Sequence, residues 1–316
     1  MSLTDRIKEK ALELGFLRLG IARAETLPRS GFLDLWLQEK KHGDMSWMER
    51  TKEKRKNPEL VLPGVRTLFV VGLNYFIPDP PGSQEVPRIS RYAWGEDYHR
   101  IMKNKLSDLT RFLLTQLPGS EAIFYSDTGP VMEKAWAEKA GLGWIGKNTN
   151  LIMPDHGSYL FLGVILLNRE WESYDTPGTD LCGSCTLCLQ ACPTEALTPY
   201  AIDSTKCISY LTIEKKGAFT AEEGEAIGPW AYGCDDCQEI CPWNASPKVA
   251  SEPGFSRIDP SIWRLSPFTL TENSFSRLFK ESAIKRLKYA GLKRNLLAVS
   301  QNVPSDLSGK NKESAA

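Results

Sequence analysis

Apolar residues along the first half of the chain switch between two periods. Ile7, Ala11 and Leu14 recur at helical spacing and Gly15 ends the run, which predicts an amphipathic N-terminal helix. Two largely apolar stretches, Gly15–Ile21 (broken by Arg18) and Thr67–Leu73, read as buried strands. Between them the pattern predicts a helix around Leu33–Lys41, followed by a basic run from Arg50 to Lys56. A Pro- and Gly-rich loop, Pro78–Pro87, precedes a helix from about Tyr98 to Gln116. Ala122–Tyr125 predicts a strand that feeds the turn Ser126-Asp127-Thr128-Gly129-Pro130. Val131–Ala140 then predicts a helix and Tyr159–Leu167 a long apolar strand. The loop Glu172–Asp180 marks a boundary before a cysteine-rich segment. A basic helical region starts near Ser266, and Ser305–Ala316 is expected to be disordered.

Composition narrows the class. The 316 residues carry 39 Lys+Arg against 39 Asp+Glu, with 41% hydrophobic and 25% charged residues, values typical of a globular protein rather than a disordered or fibrous one. No apolar run approaches the roughly 18–20 residues that span a bilayer. The N-terminus has neither the apolar region of a signal peptide nor a twin-arginine motif, so the expected location is cytoplasmic.

All eight cysteines fall between Cys182 and Cys241. Such clustering points to a local metal-binding module, whereas a disulfide framework would be scattered. The first arm, Cys182-x2-Cys185-x2-Cys188-x3-Cys192-Pro193, is the run of two-cluster bacterial ferredoxins, in which three thiolates hold one [4Fe–4S] cube and the fourth ligates the other. The second arm, Cys234-x2-Cys237-x3-Cys241-Pro242, lacks its nearby fourth cysteine, and Cys207 is the one candidate to replace it. By crossover, one cube takes Cys182, Cys185, Cys188 and Cys241, and the other takes Cys192, Cys207, Cys234 and Cys237. Zinc knuckles are the alternative, but zinc sites rarely use CxxCxxCxxxCP. The insert Ile208–Gly233 is longer than a ferredoxin needs, which suggests that it covers something.

Outside the module, Gly141-Leu-Gly143-Trp-Ile-Gly146 matches GxGxxG, and Gly141–Asn148 nearly matches a phosphate-binding loop. Both motifs should follow a strand and open a helix, whereas these glycines follow one, so they read as a helix cap and loop. Asp127 sits at a strand end before a helix started by Pro130, where open α/β sheets place catalytic groups; its bland reading is a helix cap. Glu133, in the first turn, reads as a structural carboxylate. Of three histidines, His42 reads as solvated and His99 as a pocket residue, and none belongs to a His-metal motif. Basic residues concentrate in Arg50–Lys56 and in Arg277–Arg294; two such runs on a neutral chain favour a polyanionic partner.

Taken together, Ser126–Ile152, Tyr159–Leu166, Cys182–Leu197, Tyr232–Asn244 and Arg55–Leu68 resemble the epoxyqueuosine reductases, cobalamin-dependent enzymes that complete queuosine in tRNA. The resemblance covers about Leu3–Pro267. It implies an α/β (α+β) fold in which a nitroreductase-like cobalamin-binding domain (1–171) precedes a two-cluster ferredoxin-like domain (172–250), a basic helical segment (251–304) and a tail (305–316). It implies cobalamin held base-off and reduced through the two [4Fe–4S] clusters, with Asp127 as the proton donor. A carboxyl buried against the corrin is expected to have a raised pKa. Cobalamin contacts are expected at Arg55, Asp127, Lys147, Asn148, Leu151, Ser209, Asp235 and Asp236. Contacts with the tRNA bearing epoxyqueuosine are expected at Lys215, Lys216, Arg277, Lys285, Arg286, Lys288 and Arg294. The remaining expectations are a monomer, no membrane partner and a low-potential electron donor. Two other readings compete: a cobalamin-dependent reductase of a small molecule, such as a dehalogenase, which has no need of the basic runs, and a ferredoxin-type electron carrier, which has no need of the α/β domain.

Overall fold

A computed structural model describes residues 1–27 and 29–302; the expected disorder of 305–316 lies outside them. The N-terminal half comprises α1 (Leu3–Glu13), β1 (Arg18–Arg23), α2 (Ser30–Gln38), α3 (Ser46–Arg50), α4 (Lys52–Lys56), β2 (Thr67–Asn74), β3 (Arg88–Ile89), α5 (Tyr98–Gln116), β4 (Ala122–Tyr125), α6 (Glu133–Lys139), β5 (Trp144–Ile145), β6 (Leu151–Ile152) and β7 (Leu160–Leu167). The central sheet has the order β1-β2-β7-β4 and is antiparallel at every pairing, with Thr67 opposite Leu167 and Tyr125 opposite Val164. Antiparallel sheets usually alternate apolar and polar residues, but β2 is buried along its whole length. The reason is that both faces are covered. Phe69, Val71 and Leu73 join the core under α1 and α5, while Leu68 and Val70 join the core under α6. The basic run Arg50–Lys56 is drawn into α3 and α4, where Lys52 and Lys56 both pair with Asp34, at 2.9 and 2.7 Å. His42, expected to be solvated, is buried, with Nε2 3.2 Å from Glu49.

The cysteine segment contributes α7 (Leu187–Gln190), β8 (Leu197–Thr198), β9 (Ala201–Ile202), α8 (Ile208–Ile213), α9 (Ala221–Ala226), β10 (Trp230–Tyr232) and α10 (Asp236–Glu239), followed by α11 (Glu272–Leu278) and α12 (Lys288–Asn302). The insert Ile208–Gly233 therefore folds as α8, α9 and β10. Its strand β10 pairs in parallel with β3, tying the insert to the N-terminal half. On its other side, buried Asn295 of α12 donates through Nδ2 to the carbonyls of Thr212 and Ala231, at 2.7 and 2.8 Å. One apolar core runs from Ile7 through Tyr210 and Trp230 to Val299, so the three expected segments share it.

Candidate active site

An opening of about 570 Å³ lies where the N-terminal half meets the insert. Cys192, Cys207, Cys234 and Cys237 line one side; Tyr98, His99 and Asp127 line another; Ser209, Tyr210 and Ile213 of α8 close a third. A second cavity, about 420 Å³, is lined by the other four cysteines, Cys182, Cys185, Cys188 and Cys241. Thus the eight thiols stand four and four around two volumes. Among the described residues no three His, Cys, Asp or Glu side chains converge on a single-ion position. Burial pushes the Cys234 and Cys237 thiols well up, since thiolate charge is costly away from water. Asn148 lines both cavities, and its Nδ2 donates to the Cys237 carbonyl at 3.0 Å. Behind the second cavity, the Trp144 indole N–H donates to Cys182 Sγ at 3.4 Å.

Asp127 is held at the end of β4 with φ +61°, a left-handed conformation that Asp tolerates better than most residues. It is not a helix cap, since the residue preceding α6 is Met132, which makes no side-chain cap bond. Instead the Tyr98 hydroxyl donates to its Oδ2 at 2.7 Å, and His99 Nε2 lies 3.1 Å from the same oxygen. His99 Nδ1 is 2.7 Å from Oδ1 of Asp97, which also caps α5 by accepting the His99 backbone N–H. With a carboxylate oxygen at each ring nitrogen, the imidazole is best satisfied with both protons on. Burial opposes that charge, but the bonds to Asp127 and Asp97 prevail and raise the His99 pKa to about 9.

The charge of Asp127 differs from expectation. Its side chain is packed around by many atoms yet 55% exposed to the open chamber; crowding pushes its pKa up, but the hydrogen bonds from His99 and Tyr98 and the charges of His99 and Arg286 pull harder, leaving it below the usual carboxylate value. The raised carboxyl is its neighbour Glu133, lifted to about 7 by burial and by the Asp127 charge. Sequence position alone had made Glu133 a structural residue; only the fold brings the two together.

The other expected contacts divide. Ser209, Asn148, Asp235 and Asp236 line the main cavity. The Asp235 carboxylate, however, is spent on the Ser90 hydroxyl and the Arg91 N–H, at 2.5 and 2.7 Å. Asp236 accepts from the Trp230 indole at 3.3 Å. Leu151 lines only a smaller cavity of about 170 Å³. Lys147 faces the second cavity, donating to the carbonyls of Gly183 and Cys185. Arg55 lies behind the Asp127 turn and donates to the Val131 carbonyl at 3.1 Å.

Among the basic residues, Arg286 reaches the main cavity while paired with Glu214 at 2.7 Å. Arg294 is consumed internally: it donates to the carbonyls of Leu211, Lys215 and Gly217 and stacks over Phe219, so it is not free for phosphate. Lys215 pairs with Glu223 at 2.9 Å. Lys216, Arg277, Lys285 and Lys288 are exposed.

Comparison with known proteins places this arrangement. A relative from Cellulophaga algicola named epoxyqueuosine reductase is 41% identical over 301 residues, covering 93% of this chain and 96% of its own. The chain belongs to the epoxyqueuosine reductases. The family model described as "Epoxyqueuosine reductase QueG, DUF1730" matches residues 55–128, which end just past Asp127. The one described as "4Fe-4S double cluster binding domain" matches residues 181–244, which hold all eight cysteines. The solved epoxyqueuosine reductase of Streptococcus thermophilus superposes with a TM-score of 0.85 at 29% identity, covering 96% of this chain and 82% of that one. An epoxyqueuosine reductase solved with an epoxyqueuosine-modified tRNA stem loop superposes with a TM-score of 0.83 at 29% identity, covering 95% and 81%. The mixed α/β fold and its double-cluster segment are therefore those of the family.

Proposed function

We propose that this protein reduces epoxyqueuosine to queuosine in tRNA, in the cytoplasm and as a monomer, with cobalamin in the main cavity. Epoxyqueuosine reduction is the activity for which its relatives are named. The observation that carries the reading for this chain is the shared cavity: four cluster cysteines and the Asp127–His99–Tyr98 group line the same 570 Å³. Cys192, Cys207, Cys234 and Cys237 hold the cluster beside the reaction chamber, and Cys182, Cys185, Cys188 and Cys241 hold the one farther out, nearer the electron donor. The chamber suits a flat macrocycle, with walls supplied by Tyr75, Tyr98, Leu160, Ile202 and Ile208. Cobalamin bound there supplies the low-potential reducing chemistry that opens the epoxide.

A cobalamin held in the chamber would find no ring nitrogen of His99 free. His99 is the one that lines the chamber, and both its ring nitrogens are engaged by carboxylates. His42 faces Glu49, and His156 Nδ1 faces the Pro154 carbonyl at 3.3 Å. The protein's own part is to hold the epoxide oxygen near Asp127, exclude water and deliver protons. The test is anaerobic reconstitution with iron, sulfide and cobalamin, followed by single-turnover reduction of epoxyqueuosine-containing RNA read by nucleoside mass spectrometry. Conversion to queuosine is the expected result; bound cofactors with no conversion would overturn the reading.

A further inference from the structure

Reducing an epoxide with loss of its oxygen as water breaks two C–O bonds and forms one C=C bond, consuming two electrons and two protons. The clusters account for electrons. The Asp127 carboxyl, held ionised by His99 and Tyr98, can pass protons to the substrate but stores none, and the doubly protonated His99 ring bonded to it accounts for one of the two. The site therefore needs a second proton-holding group close to Asp127.

One carboxyl oxygen behind Asp127 is left without a partner. Glu133 Oε1 is buried and has no hydrogen-bond partner. Its carboxyl lines the 170 Å³ cavity together with Ser126, Asp127, Tyr98 and Lys134. Its lining is mixed, with Leu151, Leu160, Phe161 and Leu162 beside the polar groups, and the volume is roomy enough for a short chain of waters between the two carboxyls. A charged carboxylate left without a partner in such a place is costly, whereas a neutral one is not. The groups facing Glu133 divide in sign: burial, and then Asp127 from the turn, disfavour its charge, while the backbone N–H groups of Glu133 and Asp127 and Arg55 from α4 favour it, and burial prevails. Arg55 is itself occupied with the Val131 carbonyl, and Lys134 donates to the Thr149 carbonyl at 2.8 Å, so neither is bonded to Glu133. Tyr98, from α5, is kept protonated by burial and by Asp127. Two adjacent carboxyls whose surroundings push them in opposite directions are the recurring mark of divided acid–base roles.

We infer that Glu133 is the proton store of the site, a positioning residue that recharges Asp127 through the small cavity and so supplies the second proton of each epoxide reduction. The inference rests on the proposed reaction. Its consequence is a division of labour: Asp127 touches substrate, His99 fixes its charge, and Glu133 carries the reserve.

Two measurements decide it. Infrared titration of the chain should show a protonated carboxyl component that disappears as pH rises from about 6 to 8, lost in Glu133→Gln and kept with a lowered midpoint in Asp127→Asn, beside a separate component from Asp235 near 6. In the reconstituted enzyme, Glu133→Gln should lower the single-turnover rate at pH 6 by at least about tenfold, below the full loss expected for a direct acid. RNA affinity should be unchanged, the fall in rate near pH 7 should disappear, and Glu133→Asp should restore part of both. The inference is overturned if no carboxyl titrates above pH 6. It is overturned equally if Glu133→Gln keeps the wild-type rate and pH profile. Should Glu133→Gln fail to fold, Glu133→Asp decides: an unshifted profile overturns the inference and a displaced inflection supports it. Failure of the wild-type chain to reduce epoxyqueuosine would sink the proposed function instead, while the infrared titration would still report on Glu133.

Discussion

At the scale of single residues, the site is organised by which groups keep their protons. Asp127→Asn preserves shape but cannot take up a proton from its neighbours and pass it on, so single-turnover reduction should fall by roughly 10²–10⁴ with both clusters and cobalamin still bound. Absorbance spectra taken alongside the rate separate those outcomes. His99 contributes to stability as a cation: with its pKa raised from 6.5 to about 9, that contribution is complete below pH 6.5 and is lost as pH climbs through 9. Glu133 has the opposite sense. Its raised pKa makes the folded state bind a proton the unfolded chain releases, so stability falls between about pH 4.5 and 7. Glu133→Gln should therefore raise the denaturation midpoint at pH 8, with little gain at pH 5, and thermal melts at the two pH values check this. Asp127 was legible as a strand-end residue, and the cysteine spacing exposed every thiol. The charge state of Asp127 was not legible, because His99 and Tyr98 reach it from α5 and local sequence says nothing of that meeting.

At the scale of elements, the glycine-rich segment after α6 shows why a motif needs its setting. Gly141 ends the helix with φ +73°, as a C-terminal cap. Gly143 is needed for space: a Cβ there would lie 2.0 Å from the Ile152 carbonyl across the β5–β6 hairpin. Gly143→Ala should force the hairpin open and displace Trp144 from Cys182, at a cost of at least about 2 kcal/mol. Iron analysis should then find the outer cluster depleted before the inner one. Strand positions were readable because both sheet faces are buried, which makes β2 and β7 unbroken apolar runs. The same feature concealed their direction. Unbroken runs usually belong to parallel sheets, so the rule that places ligands at carboxyl ends of parallel strands located Asp127 for a reason that does not hold in this antiparallel sheet.

At the scale of the whole molecule, the insert between Cys207 and Cys234 joins everything. Its length in the sequence announced a cover, and α8 does wall the main cavity, but its anchoring to β3 and α12 depends on contacts far apart in the chain. The basic runs were equally visible, and their availability was not, since carboxylates and carbonyls supplied by the fold occupy Lys52, Lys56, Lys215 and Arg294. What remains open to phosphate is a smaller set. Lys216, Arg277, Lys285 and Lys288 are exposed and make no side-chain hydrogen bond or ion pair among the described residues. Lys285 and Lys288 flank Arg286, which reaches the chamber that Asp127 also lines. Each phosphate neutralised releases counterions, so binding of the stem loop should weaken linearly in log salt. Charge reversal at Lys285 and Lys288 together should lower affinity and flatten that slope by about two phosphate contacts' worth, with cobalamin spectra unchanged. The same reversal at Arg294 should instead destabilise the fold, because its guanidinium ties α12 to the end of α8. Binding titrations at three salt concentrations, beside thermal melts of both variants, distinguish the two. An Arg294 variant that kept its melting point and lost RNA would return that residue to the interface.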